Sequence, residues 1–237
     1  MRRAALPLLT LLLLAAPAPE AGATTFCVPA FHDACPAGGG RVAVPTLQQA
    51  LNTDGDDGVK DTIHIAPGVL SQPAPYEILD PSDGDDLEIA GAGRDQTVVT
   101  TTSSGNFVLL GLGTERIVRV RDMTLRIPAS AADGAGLAAY VLIGIFERVD
   151  VQSLNPGSDG VRFAGGGSYS EGTMYGSDGG SIGTGIRTNG SAPGSLAVDE
   201  ATFDRPGTAV EVAFPGKALV LRRSRIVRPL SQGIRVA

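Results

Sequence analysis

The chain has 237 residues, a formal charge of −6, no tryptophan, 32 glycines, 16 prolines and only 5% aromatic residues, although 43% of it is hydrophobic. An acidic chain without Lys/Arg clusters excludes general nucleic-acid binding. Beyond the N-terminal run no stretch reaches the roughly 18 apolar residues of a spanning helix, so no transmembrane span is expected.

In chain order, Met1-Arg2-Arg3, the apolar run from Ala4 to Ala18 and Ala21-Gly22-Ala23 form a basic n-region, an apolar core and a small-x-small cleavage site. That pattern predicts a signal peptide over residues 1–23 and a secreted or cell-surface product. A retained N-terminal anchor is the alternative, against which Pro7, Pro17 and the shortness of the run argue. Removal leaves 214 residues, enough for one sizeable domain, with a formal charge of −7.

Residues 24–44 hold the two cysteines, Cys27 and Cys35, which in an oxidising compartment close a small loop. A metal site there would need more ligands than the one intervening His32. Pro45 to Asn52 predicts a short helix, with Thr46 as N-cap and Leu47, Ala50 and Leu51 on one face, suited to cover the end of a stack. The acidic run Asn52 to Gly58 superficially resembles a calcium loop. An EF-hand starting at Asn52 needs glycine where Asp57 stands and glutamate where Ile63 stands, so this run and the second one, Asp80, Asp83, Asp85 and Asp86, read as loops. No cofactor is expected, with calcium the one alternative.

The informative feature is a repeat. Gly136-Leu137-Ala138-Ala139, Gly160-Val161-Arg162-Phe163, Gly185-Ile186-Arg187-Thr188, Ala209-Val210-Glu211-Val212 and Gly233-Ile234-Arg235-Val236 share one pattern, their second residues 24, 25, 24 and 24 positions apart. A second set, Met123-Thr124-Leu125, Val149-Asp150-Val151, Ala201-Thr202-Phe203 and Ser224-Arg225-Ile226, runs beside it, with a degenerate coil near Tyr175. In both, apolar and polar residues alternate, as in strands with one buried face. A unit of about 24 residues carrying two or three short strands cannot bury its apolar face alone and must stack, which predicts a parallel β-helix over residues 45–237 with Leu137, Val161, Ile186, Val210 and Ile234 in one interior column. The glycine before these strands is expected to supply positive φ at a corner. A β-sandwich would explain the strands but not the period.

Pro45-Thr46-Leu47-Gln48-Gln49-Ala50-Leu51, then Asp61-Thr62-Ile63-His64-Ile65-Ala66-Pro67-Gly68, then Leu87-Glu88-Ile89-Ala90-Gly91-Ala92-Gly93-Arg94-Asp95-Gln96-Thr97-Val98-Val99, resemble the capping helix, first strand and following turn and strand of the pectin-lyase-like superfamily. The resemblance implies an all-β, right-handed, single-stranded parallel β-helix. It implies no particular activity, since that fold hosts polysaccharide lyases, hydrolases, esterases, phage tailspikes and non-catalytic surface proteins.

Asn155-Pro156-Gly157-Ser158-Asp159-Gly160 is similar to the polygalacturonase Asn-Thr-Asp-Gly segment, but its internal spacing differs. Gly183-Thr184-Gly185-Ile186 stands where the family places its paired aspartates, so Asp159-Gly160 reads as a turn before a strand. Arg223, Arg225 and Arg228 read as a solvated face without a paired acidic cluster. No catalytic residue and no metal ligand is assigned. The outward residues of the first set, Ala138, Arg162, Arg187, Glu211 and Arg235, form a line suited to an acidic polysaccharide or cell-envelope glycan, held by fork-like arginine contacts. Ending in mid-coil, the chain is expected either to be part of a longer protein, with any lyase or hydrolase site on further coils, or to associate end to end through an uncapped coil, as an adhesin would.

Overall fold

The computed structural model describes residues 23–53, 59–78, 86–102, 107–111, 117–130, 136–177, 180–188, 194–213 and 218–236. The expected signal peptide before Ala23, the core of the acidic run (54–58) and Asp80, Asp83 and Asp85 lie outside the described residues.

Successive strands pair in parallel with the strand one coil later, and this register builds three ladders. The first contains β2 (Arg41–Ala43), β1 (Thr25–Val28), β3 (Asp61–Ile65), β6 (Leu87–Ala90), the start of β9 (Ile117–Ile127), the middle of β10 (Leu137–Ser153), the end of β11 (Asp159–Ser170), β14 (Ser195–Asp199) and β17 (Ala218–Arg222). The second runs β4 (Gly68–Gln72), β7 (Thr97–Thr101), the end of β9, the end of β10, β12 (Thr173–Gly176), β15 (Thr202–Asp204) and β18 (Arg225–Val227). The third runs β5 (Tyr76–Ile78), β8 (Phe107–Gly111), the start of β10, the start of β11, β13 (Ile182–Thr188), β16 (Pro206–Val212) and β19 (Gln232–Val236). The fold is a parallel β-helix.

Each ladder sends a column of apolar side chains inward because alternate residues of a strand face opposite ways. The first column is Phe26, Ile63, Ile89, Val120, Phe146, Tyr169, Val198 and Leu221. The second is Leu70, Val99, Leu125, Val151, Met174, Phe203 and Ile226, so Met174 fills the coil that reads as degenerate. The third is Tyr76, Leu109, Ala139, Val161, Ile186, Val210 and Ile234. Here the sequence expectation needs one correction: Ala139, not Leu137, stands in register with Val161, while Leu137 is buried on the rung of Asp159. The period of two makes both registers fit the apolar pattern; the inter-strand pairing chooses between them. At the last coil the column opens, leaving Ile234 45% exposed.

The glycines of the repeat also have a different cause from the one expected. Gly160 and Gly185 do not have positive φ; a Cβ on Gly160 would lie 2.2 Å from the Gly185 carbonyl oxygen and 2.8 Å from the Met174 sulfur, and one on Gly185 would lie 2.6 Å from the Phe203 ring. Close approach of the next coil's backbone, together with the second column, therefore excludes a side chain there. Positive φ occurs instead at charged corner residues, Asp122, Arg148, Glu171, Glu200 and Arg223 between the first and second ladders and Arg205 and Arg228 after the second, with φ between 46° and 57°.

At the N-terminal end, α1 (Leu47–Thr53) buries Leu47, Ala50 and Leu51, and the Gln49 amide donates to Thr46 Oγ1 at 3.1 Å, the expected N-cap. The Gln48 side chain completes the cap: its Nε2 donates to the Glu77 carbonyl and its Oε1 accepts from the Glu77 amide, both at 2.8 Å, so one carboxamide replaces a strand on the edge of β5. Cys27 and Cys35 form a disulfide. Among the described residues no helix is long and apolar enough to cross a membrane.

Candidate functional site

The outward line of the third ladder is Leu110, Tyr140, Arg162, Arg187, Glu211 and Arg235, one residue per rung. Tyr140 takes the place expected for Ala138, which is fully buried, for the same two-residue register reason. The Arg162 guanidinium lies 5.9 Å from the centre of the Tyr140 ring, within cation–π range. The chain lacks tryptophan, yet this line carries an aromatic face.

Asp159, one pleat along, ties the line together. It opens β11 itself and is not a turn residue preceding the strand: Oδ1 accepts the Thr184 amide at 2.7 Å, while Oδ2 pairs with Arg162 at 3.0 Å and Arg187 at 3.5 Å. Arg187 also donates from Nε to Glu211 at 2.7 Å and from Nη2 to Thr184 Oγ1 at 3.0 Å; Arg235 approaches the other Glu211 oxygen at 3.5 Å. Three guanidiniums thus face two carboxylates, leaving the strip positive on an acidic chain. Arg235 is the most open member, its side chain 56% exposed against 10% for Glu211. Sequence patterning identifies the arginines and Glu211 but misses Tyr140, Asp159 and Thr184. No sequence signal finds Tyr140, because the repeat interval carried back from Val161 lands on Leu137 and alternation fits Leu137 and Ala139 equally.

A second charged network follows the first-ladder corner. Glu88 pairs with Lys60 and, at 2.6 Å, with Arg121; Arg121 reaches Asp122 at 2.7 Å, and Arg148 grips Asp122 with two hydrogen bonds of 2.6 and 3.0 Å. Burial pushes the Glu88 carboxyl up, but the hydrogen bonds and charges of Lys60 and Arg121 outweigh it and hold Glu88 below its ordinary value. The Arg148 hydrogen bond, aided by Arg121, holds Asp122 down against the opposing effect of burial. Carboxyls depressed on folding stabilise the fold above their unfolded values, 4.5 for Glu88 and 3.8 for Asp122, and that contribution is lost as pH falls through the folded values. The melting-temperature gap between the wild type and a Glu88→Gln/Asp122→Asn variant should therefore be open at pH 7 and narrow steadily below pH 4.5; a gap independent of pH would remove this network from the account.

Two of the three arginines expected to lack acidic partners, Arg223 and Arg228, have them. Arg223 binds Asp199 with two hydrogen bonds and reaches Glu200 at 3.0 Å, and Arg228 binds Asp204 at 2.7 Å. Alternation misplaces Arg223 because it is a corner residue, with φ of 46°, outside any strand. Among the described residues no group of three or more His, Cys, Asp or Glu could hold a metal ion.

No family model matches the chain, and no curated protein matches it. Among solved structures it is similar to pectin methylesterase from carrot, at 11% identity over 93% of this chain and 90% of that chain, with a TM-score of 0.48. It is also similar to ORF18 of Geobacillus virus E2, at 9% identity over 83% and 59%, with a TM-score of 0.33. Likenesses this loose carry no argument about the chemistry of this chain, whose fold rests on its own strand register.

Proposed function

We propose that this protein is a secreted or cell-surface module whose third-ladder face binds polysaccharide carrying sparse negative charge, of the acidic or cell-envelope kind. The observation that carries the reading is the strip itself: Tyr140, Arg162, Arg187, Glu211 and Arg235 on successive rungs, with a surplus guanidinium over the carboxylates of Asp159 and Glu211. Guanidinium forks pair with carboxylates and hydroxyls, carboxylates accept from sugar hydroxyls, and a tyrosine ring offers an apolar face to a pyranose. The signal-peptide pattern and the disulfide support an extracellular setting.

Affinity electrophoresis through gels containing polygalacturonate, alginate or neutral dextran tests this. The wild type should be retarded by an acidic glycan, less so as salt rises, and an Arg162→Ala/Arg235→Ala variant should migrate freely. Indifference of the wild type to every acidic glycan, or unchanged retardation of the variant, would reject the reading. A carbohydrate-active enzyme is the second reading, favoured by two carboxylates flanking Arg187 on one face. Product release from the same glycans, with or without calcium, would establish it.

A further inference from the structure

A parallel β-helix must close three strand edges at its N-terminal end, because an unpaired edge presents free backbone donors and acceptors. The first ladder is extended past β1 by the three-residue, exposed β2, an edge kept short, and the third is closed by Gln48 on Glu77. The second ladder begins at β4, whose sole strand partner among the described residues is β7 on its other side.

The register shows which groups remain. The Gly68 amide donates to Gln96 and the Gln72 carbonyl accepts from Thr102, so Gly68, Leu70 and Gln72 turn toward β7. In a parallel pair alternate residues bond to opposite sides. The amides and carbonyls of Val69 and Ser71 therefore point away from the ladder. They point into a groove: a cavity of about 300 Å³ runs along the whole of β4 and is walled by Pro29, Pro45, Leu47, Pro67 and Tyr76. None of its lining residues is ionisable at neutral pH, and Val69 stands 62% exposed at its mouth.

We propose that β4 is a strand-addition site for an extended, uncharged polypeptide segment of a partner protein, which pairs its backbone with Val69 and Ser71 and lays an apolar side chain between Pro45, Leu47 and Tyr76. Backbone pairing supplies affinity and the apolar pocket supplies selectivity, as in other edge-strand recognition. The uncharged lining selects against charged segments, since a charge entering it would lose its hydration without a partner. This inference is independent of the glycan-binding reading and involves a different face.

The probe is a blocked peptide of alternating threonine and valine, six residues long, followed by amide hydrogen exchange and by titration calorimetry. The Val69 and Ser71 amides should exchange freely in the protein alone and become protected when peptide is added. Ser71→Pro removes the outward amide while leaving the bonds to β7 in place, so the fold should persist and affinity should fall roughly tenfold, the size of one lost backbone hydrogen bond. Val69→Lys, which adds a charge at the mouth, should weaken binding without touching the ladder. Failure of the peptide to protect Val69, or equal affinity for wild type and Ser71→Pro, overturns the proposal. Protection that grows with protein concentration in the absence of peptide overturns it too, by making a second copy of this chain the occupant.

Discussion

Truncation of Phe163 to alanine is expected to lower stability by about 3–5 kcal/mol, the cost of removing a wholly buried aromatic ring that its surroundings cannot collapse to fill. Phe163 is 0% exposed and meets Phe146 edge to face, ring centres 5.7 Å apart and planes at 78°. Its ring comes from the third ladder and lies against Gly144 and Gly167 of the first, where a Cβ would approach within 3.0 Å and 2.4 Å of it. The ring thus crosses the lumen and couples two ladders as well as two coils. Because coils contact only their neighbours, weakening one junction lowers cooperativity as well as midpoint. Chemical denaturation followed by circular dichroism should show both a lower midpoint and a broader transition; a loss below about 1 kcal/mol would mean that the lumen repacks.

The opposite operation, overfilling, should be as damaging at Gly160. Valine there would place its Cβ 2.2 Å from the Gly185 carbonyl oxygen. Met174, also in the way, can swing aside; the carbonyl cannot move without breaking the pairing of β11 with β13. We expect a loss of at least about 3 kcal/mol, at the upper end of overpacking costs, and little soluble folded protein. Gly233 occupies the same position on the last coil, where the nearest atom to an added Cβ is Ile226 Cδ1 at 3.4 Å. Gly233→Ala should therefore leave the melting temperature within a degree or two of wild type. If the two substitutions behave alike, steric exclusion by the backbone of the following coil is not what keeps these positions small.

What could be read without coordinates was the stacking, and the reason is physical: Val161, Ile186, Val210 and Ile234 recur because each must pack on the one below, so the constraint is written into the chain at a fixed interval. The helix over Leu47–Thr53 and its Thr46 cap were legible for the same kind of reason, local chemistry at a known offset. The first ladder was not. Its column mixes Phe146, Tyr169 and Val198 and passes beside Gly144 and Gly167, so no one kind of side chain recurs from coil to coil, and only the pairing shows the alignment. The candidate face was half legible. Arg162, Arg187, Glu211 and Arg235 announce themselves by alternation, whereas Asp159 joins them through contacts between coils that no spacing rule encodes. The groove beside β4 was invisible, since it depends on which strand edge a single glutamine happens to close.

The one-residue corners at Asp122 and Arg148, where β9 and β10 pass from the first ladder to the second through a single left-handed residue, give these coils a seam that admits no slack. From β9 onward extra chain length has to emerge at the other two corners, which is why the repeat interval there wanders by a residue while the seam stays in step; the coil before it carries its extra residues at this corner, between Ala90 of β6 and Thr97 of β7. Grafted epitopes or reporter tags belong at those two corners, and a single inserted residue at Asp122 or Arg148 would throw the following strand onto its wrong face.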